Sequence, residues 1–132
     1  MITCLSISNF LTRVRSLLDV KKGVYKGVTA EIENAFKGKD IDEIRRNRDM
    51  ILQQDGWKII KLRLQDKKQH LSKRDGYRLI YLVSMTEEKI ILLDIYPKNG
   101  PSQQLDIEDS EIFRLLKEFI SEQEANTLSQ FP

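Results

Sequence analysis

Four cations, Lys61, Arg63, Arg78 and Lys98, have the residue types and the spacing to hold an anion. Lys61 and Arg63 lie two residues apart in Trp57-Lys58-Ile59-Ile60-Lys61-Leu62-Arg63-Leu64, where Ile60, Leu62 and Leu64 set a period of two. The two cations therefore share one face of a strand and the apolar set takes the other. Arg78 stands near the start of a second, apolar and aromatic run, after the turn residues Asp75-Gly76. An arginine is rarely buried without a partner, so this one leads to water or points at something anionic. Lys98 follows a third apolar run, 89–96. Four cations on three neighbouring strands favour a shared anion site over a solvated sheet face, for which interspersed acids would be the better solution. The plain alternative for Arg78 is an ion pair with Asp75 or with Asp94, the latter only if the register brings both to one face.

The charge distribution points the same way. The chain of 132 residues carries a formal net charge of +2, yet residues 58–78 hold eight Lys/Arg against two Asp, while 101–132 hold two against seven acids. A polyanion would meet residues 58–78, where Lys58, Lys67, Lys68, Lys73 and Arg74 join Lys61, Arg63 and Arg78. His70 is of the residue type suited to acid/base work, although a charged loop is also an ordinary place for an exposed histidine. Tyr96 lies close to Lys98 and has the chemistry to stack on a base or to donate a proton. Trp57 and Tyr81 fit packing roles better.

The elements that must position these residues follow from periodicity. One cysteine, Cys4, and one histidine exclude an intramolecular disulfide and a Cys/His zinc cluster. The run 2–7 predicts an N-terminal edge strand, followed by a helix capped by Ser8 or Asn9 with Phe10, Val14, Leu17 and Leu18 on one face. Val24, Val28, Ile32, Ala35 and Phe36 predict a second helix that stops near Gly38, so the pair forms a helical hairpin. A short helix is expected over 41–54, with Ile41, Ile44, Ile51 and Leu52 opposite Arg45-Arg46-Asn47-Arg48. After Asp55-Gly56 come strands 57–64, 77–84 and 89–96, the last two joined by the hairpin-length connection 85–88. Ile112, Leu115, Leu116, Phe119 and Ile120 mark a closing helix, with Asp106 or Asp109 as its cap and a polar tail from Glu122 expected to fray. The fold class expected is α+β: one domain over 1–132, with a core of about 2–100 and a C-terminal helix of about 108–122. No apolar run approaches the length of a membrane span, and the N-terminus lacks a signal-peptide pattern, so a cytoplasmic protein is expected.

The order of strand, two helices and antiparallel meander, with Lys61-Leu62-Arg63, Gly76-Tyr77-Arg78-Leu79-Ile80-Tyr81 and Leu93-Asp94-Ile95-Tyr96-Pro97-Lys98-Asn99, resembles the RelE/ParE superfamily of type II toxins and its HigB-like branch in particular. The resemblance covers roughly 2–100 and is strongest over 57–99. It implies a RelE-like fold, in which the N-terminal strand and helical hairpin pack on a twisted antiparallel sheet with a C-terminal helix. It also implies a metal-independent endoribonuclease that enters the ribosomal A site, cuts messenger RNA and is silenced by a cognate antitoxin. Lys61, Arg63, Arg78 and Lys98 stand where that family carries its catalytic cations. Attack of a ribose 2′-OH on the adjacent phosphate needs a base, cations for the extra phosphoryl charge and an acid for the leaving oxygen, but no metal or other cofactor. The chain differs from the RelE prototype in having no tyrosine after Lys98, where the prototype places a catalytic one, and in its longer 65–75 loop. Two other readings stay open: a ParE-like toxin that binds gyrase, and an inactive relative that binds only an antitoxin.

Overall fold

Alternating sequence does become strand. In the computed structural model, which describes residues 1–47 and 49–131, β3 (Trp57–Leu64), β4 (Tyr77–Ser84) and β5 (Lys89–Pro97) form an antiparallel meander. They belong to a six-stranded sheet of order β2-β3-β4-β5-β1-β6, with β1 at Thr3–Ser6, β2 at Met50–Gln54 and β6 at Ser129–Gln130. β1 runs parallel to β5, so the sheet is mixed and not wholly antiparallel. Every residue of β4 is buried, which accounts for the continuous apolar and aromatic run where a half-wet strand would alternate.

Four helices cover the sheet: α1 (Ser8–Leu18), α2 (Val28–Phe36), α3 (Ile41–Arg45) and α4 (Asp109–Ala125). α2 and α3 pack on the face that carries Ile60 and Tyr81: the Phe36 ring meets Tyr81 edge-on at 5.1 Å, and the Tyr81 hydroxyl donates to the Ile44 carbonyl. α4 packs on the opposite face, where Phe119 meets Trp57 at 5.4 Å. Burying a side chain such as Phe119 contributes roughly 1.5–3 kcal/mol. No helix among the described residues is long and apolar enough to cross a membrane.

Several local expectations change. The N-terminal strand is not an edge, because β6 pairs with its outer side. Neither Ser8 nor Asn9 caps α1 through its own side chain. The Glu122 carboxylate accepts from the Ser8 N–H, and Glu118 accepts from the Asn9 N–H at 2.8 Å, so α4 caps α1. The tail from Glu122 is therefore ordered: α4 runs to Ala125, ends on left-handed Asn126 with the Thr127 N–H returned to the Glu122 carbonyl, and leads into β6. The second helix starts only at Val28, after the backbone breaks at Lys22 and Gly23, both at positive φ. The helix expected over 41–54 is confined to α3, which Asp40 caps. Beyond it, Met50–Gln54 is an edge strand that joins β3 through Asp55 and Gly56, both at positive φ, as a two-residue hairpin turn requires. Arg48 of the basic cluster lies outside the described residues.

Candidate anion site on the sheet

Strand register decides which cations meet. Arg63 lies directly opposite Arg78, and Arg78 directly opposite Tyr96, so the three form one row across β3, β4 and β5. The next row holds Lys61, Ile80 and Asp94. α4 packs over the rows beyond, at Trp57, Ile59 and Leu82, while Arg13 of α1 and Asp106, from the connection between β5 and α4, reach the row of Lys61 and Asp94. Like charges directly opposite on a sheet are destabilising, so the Arg63–Arg78 pair needs local compensation.

That compensation is visible at each cation. Arg63 is half exposed and lies 3.6 Å from the Asp49 carboxylate. Arg78 is only 6 % exposed, and three of its N–H groups donate to backbone carbonyls: Nη1 to Lys73 and Tyr77, Nη2 to Arg74, at 2.8–3.1 Å. Burial, then the Arg63 charge, push its pKa down. Of its five donors, Nε–H and one Nη2 hydrogen remain for a ligand. Arg78 pairs with neither Asp75 nor Asp94. Asp94 shares its face but is held by Arg13 of α1 at 3.2 Å, and burial raises the carboxyl pKa despite that partner.

Lys61 donates to the Asp106 carboxylate at 3.0 Å, and Lys98 donates to the Leu105 carbonyl. Asp106 is thus not the cap of α4. Its carboxylate also accepts from the Ile107 N–H at 2.8 Å, and this bond, then Lys61, hold its pKa below the usual carboxylate range. Tyr96 is fully buried, and among the described residues its hydroxyl has no partner at hydrogen-bond geometry, the Asp106 carboxylate lying near enough only to perturb it. Burial, then the nearby Asp106 charge, hold the phenol pKa well above its ordinary value, so it is protonated at neutral pH. A ring with no exposed surface does not stack on a base, which leaves proton donation as its available chemistry.

Of the remaining candidates, Lys73 lines one shallow cavity with Arg63, and the others lie away from this row. Lys58 lies on the opposite face, with Ile60, and donates to the Arg45 carbonyl. Its even position in the alternation already separates it from Lys61 and Arg63. Lys67, Lys68, His70, Lys73 and Arg74 are all exposed on the 65–76 loop between β3 and β4. That loop is pinned from beneath through its backbone: Glu31 accepts from the Lys67 N–H at 2.8 Å, and buried Asp66 accepts from the Gln69 N–H and side chain. Sequence reasoning assigned no site role to Asp49, Asp106 or Arg13. The partners of these residues are set by tertiary folding, and no local pattern marks them.

The fold and site together define an α+β protein whose sheet carries a cationic patch, partly occupied by one of its own carboxylates. No family model matches the chain, and no curated protein or solved structure is significantly similar to it.

Proposed function

We propose that this protein is a RelE-like type II toxin of the HigB-like branch, a metal-independent endoribonuclease that cuts messenger RNA on the ribosome. The observation that carries the reading is the row Arg63–Arg78–Tyr96 with Lys61 in the next row: two guanidinium groups directly opposed, despite their repulsion, beside a buried tyrosine hydroxyl that has no bonded partner among the described residues. Such a row fits a phosphoryl group. Arg63, Arg78 and Lys61 stabilise the charge that builds on the phosphorus-bound oxygens as the 2′-OH gives its proton to solvent, the O2′–P bond forms and the P–O5′ bond breaks, and Arg adds the planar fork that matches two of those oxygens. Tyr96, kept protonated by burial and by Asp106, supplies the proton for the departing 5′-oxygen. What supports the fold part of this reading is the chain order, in which α1 and α2 follow β1 and precede the β3–β5 meander, with α4 after it. A cognate antitoxin would silence the protein.

The test is cleavage of a ribosome-bound message by purified protein. Lys61→Ala is expected to slow cleavage by ~10²–10³, as the loss of one preorganised transition-state donor does. Its melting temperature should stay near that of the parent, because the Asp106 partner is exposed. Intact message, with continued translation and gyrase-linked DNA damage on induction, would instead select the ParE-like reading.

A further inference from the structure

The segment 98–108 has two unlike halves. Its first half is anchored. Tyr25 donates its hydroxyl hydrogen to the Asn99 carbonyl at 2.7 Å and accepts from the Ser102 N–H at 3.0 Å, and Gln104 N–H returns to the Pro97 carbonyl at 2.9 Å. Gly100 makes that anchor possible: its φ is +89°, and a Cβ there would lie 2.5 Å from the Tyr25 hydroxyl. The second half, Leu105 to Glu108, has no regular structure, and Leu105 is 80 % exposed. This half is held by Lys98 on the Leu105 carbonyl, Lys61 on the Asp106 carboxylate, the Gln104 side-chain amide on the Asp106 carbonyl, and Ile107, half-buried against the core.

The Asp106 Oδ1 that takes the Lys61 ammonium offers that lysine the negative charge and the acceptor that a phosphate oxygen would offer it. We propose that Lys61 and Lys98 form a phosphodiester-binding subsite that the strap 105–108 fills with its own Asp106, so that a nucleic-acid phosphate must displace the strap to reach Lys61 and Tyr96. The inference rests on the ribonuclease reading for the identity of its ligand, and deepens it by naming what regulates the site. It also accounts for Tyr96, whose buried hydroxyl lies near Asp106 and opens to a substrate once that carboxylate is drawn away. The strap is built for exchange: Asp106 is 67 % exposed, and an exposed ion pair is a weak contact that a polyanion with several phosphates overcomes.

The experiment measures binding of a short 2′-O-methyl oligoribonucleotide, which cannot be cut through its 2′ position, to the parent, Asp106→Ala, Asp106→Asn and Lys61→Ala/Asp106→Ala. Asp106→Ala is expected to bind about fivefold more tightly, the size of one exposed ion pair released. Asp106→Asn keeps an acceptor for Ile107 N–H and should bind more tightly as well, while the double variant loses the gain. Equal or weaker binding by both single variants, with melting temperatures unchanged, overturns the strap. The two readings separate cleanly. Tighter binding by Asp106→Ala, with no message cut by any variant, supports the strap and removes the ribonuclease. Cleavage by the parent, with no gain in binding or rate in Asp106→Ala, removes the strap and keeps the ribonuclease.

Discussion

Arg78 gives three of its N–H groups to the carbonyls of Lys73, Arg74 and Tyr77, so it organises the end of the 65–76 loop as well as facing the cationic row. Its replacement cannot be silent for stability. Arg78→Ala leaves those carbonyls without their charged donor in a nearly closed site and is expected to cost ~1–3 kcal/mol, read as a shift in the urea midpoint. Tyr96 makes the cleaner catalytic probe. On the ribonuclease reading proposed above, Tyr96→Phe removes a buried hydroxyl with no bonded partner among the described residues, so stability should hold or rise by ~1 kcal/mol while message cleavage falls by ~10²–10⁴, the contribution of a positioned general acid. Loss of stability in Tyr96→Phe would mean the hydroxyl is bonded after all. Full cleavage would take the proton donor elsewhere. Residue types alone placed Lys61 and Arg63 on one face, because a period of two needs no register. That Arg63 and Arg78 are direct neighbours depends on the pairing of β3 with β4, which the 65–76 loop sets and composition does not reveal.

Among the elements, α1 and α4 depend on one another through charge. Glu118 and Glu122 stand one turn apart on α4 and both accept from the first turn of α1, at Asn9 and Ser8. Burial, then the bond to Glu122, raise the Glu118 pKa above its unfolded value, against the pull of Asn9 N–H and Arg114. Because the folded pKa is raised, Glu118 contributes stability that is fully present below its unfolded value and is lost as pH rises through the folded one. Glu118→Gln keeps an acceptor for Asn9 and removes the like charge beside Glu122. It is therefore expected to be more stable than the parent by ~0.2–0.5 kcal/mol at neutral pH, with the gap closing as carboxylates protonate. Paired urea melts near neutrality and near pH ~3 check the sign; a gap that widens on acidification contradicts it. This interlock was not legible in the sequence, where Ser8 and Asn9 look like self-sufficient caps and Glu122 like the start of a loose tail. The elements carried by strong patterns were legible: β3 through its alternation, β4 through its unbroken apolar run, α4 through Ile112, Leu115 and Phe119. β2 was not, because Ile51 and Leu52 continue a helical spacing from Ile41 and Ile44 across a break that only the pairing with β3 imposes. Asp55-Gly56, the strongest hairpin signal in the chain, was the clue to a strand on both of its sides.

At the scale of the molecule, folding brings the two charge blocks of the sequence together. Asp106, from the acidic C-terminal third, lies against Lys61 of the basic 58–78 stretch, so part of the basic charge is neutralised within the chain. What remains for a polyanion at long range is the exposed loop with Lys67, Lys68, Lys73 and Arg74. These side chains are separable from the fold, because the loop is held through backbone groups: the Lys67 N–H on Glu31, and the Lys73 and Arg74 carbonyls on Arg78. Lys68 is set aside because its aliphatic stem packs on Gly27, where even an added Cβ would come within 2.6 Å of it. A Lys67→Ser, Lys73→Ser, Arg74→Ser variant should melt like the parent, each exposed change being worth no more than about 0.5 kcal/mol. Its association with single-stranded RNA should weaken most at low salt. The slope of log K against log salt should become shallower by ~0.7 for each phosphate contact removed, or about 2 if all three side chains touch phosphate. Cleavage of message already bound should stay at the parental rate, because Lys61, Arg63, Arg78 and Tyr96 are untouched. An unchanged salt slope with full affinity would show that RNA approaches from another side of the sheet. A fall in the single-turnover rate at saturating protein would move the loop from encounter into the chemistry.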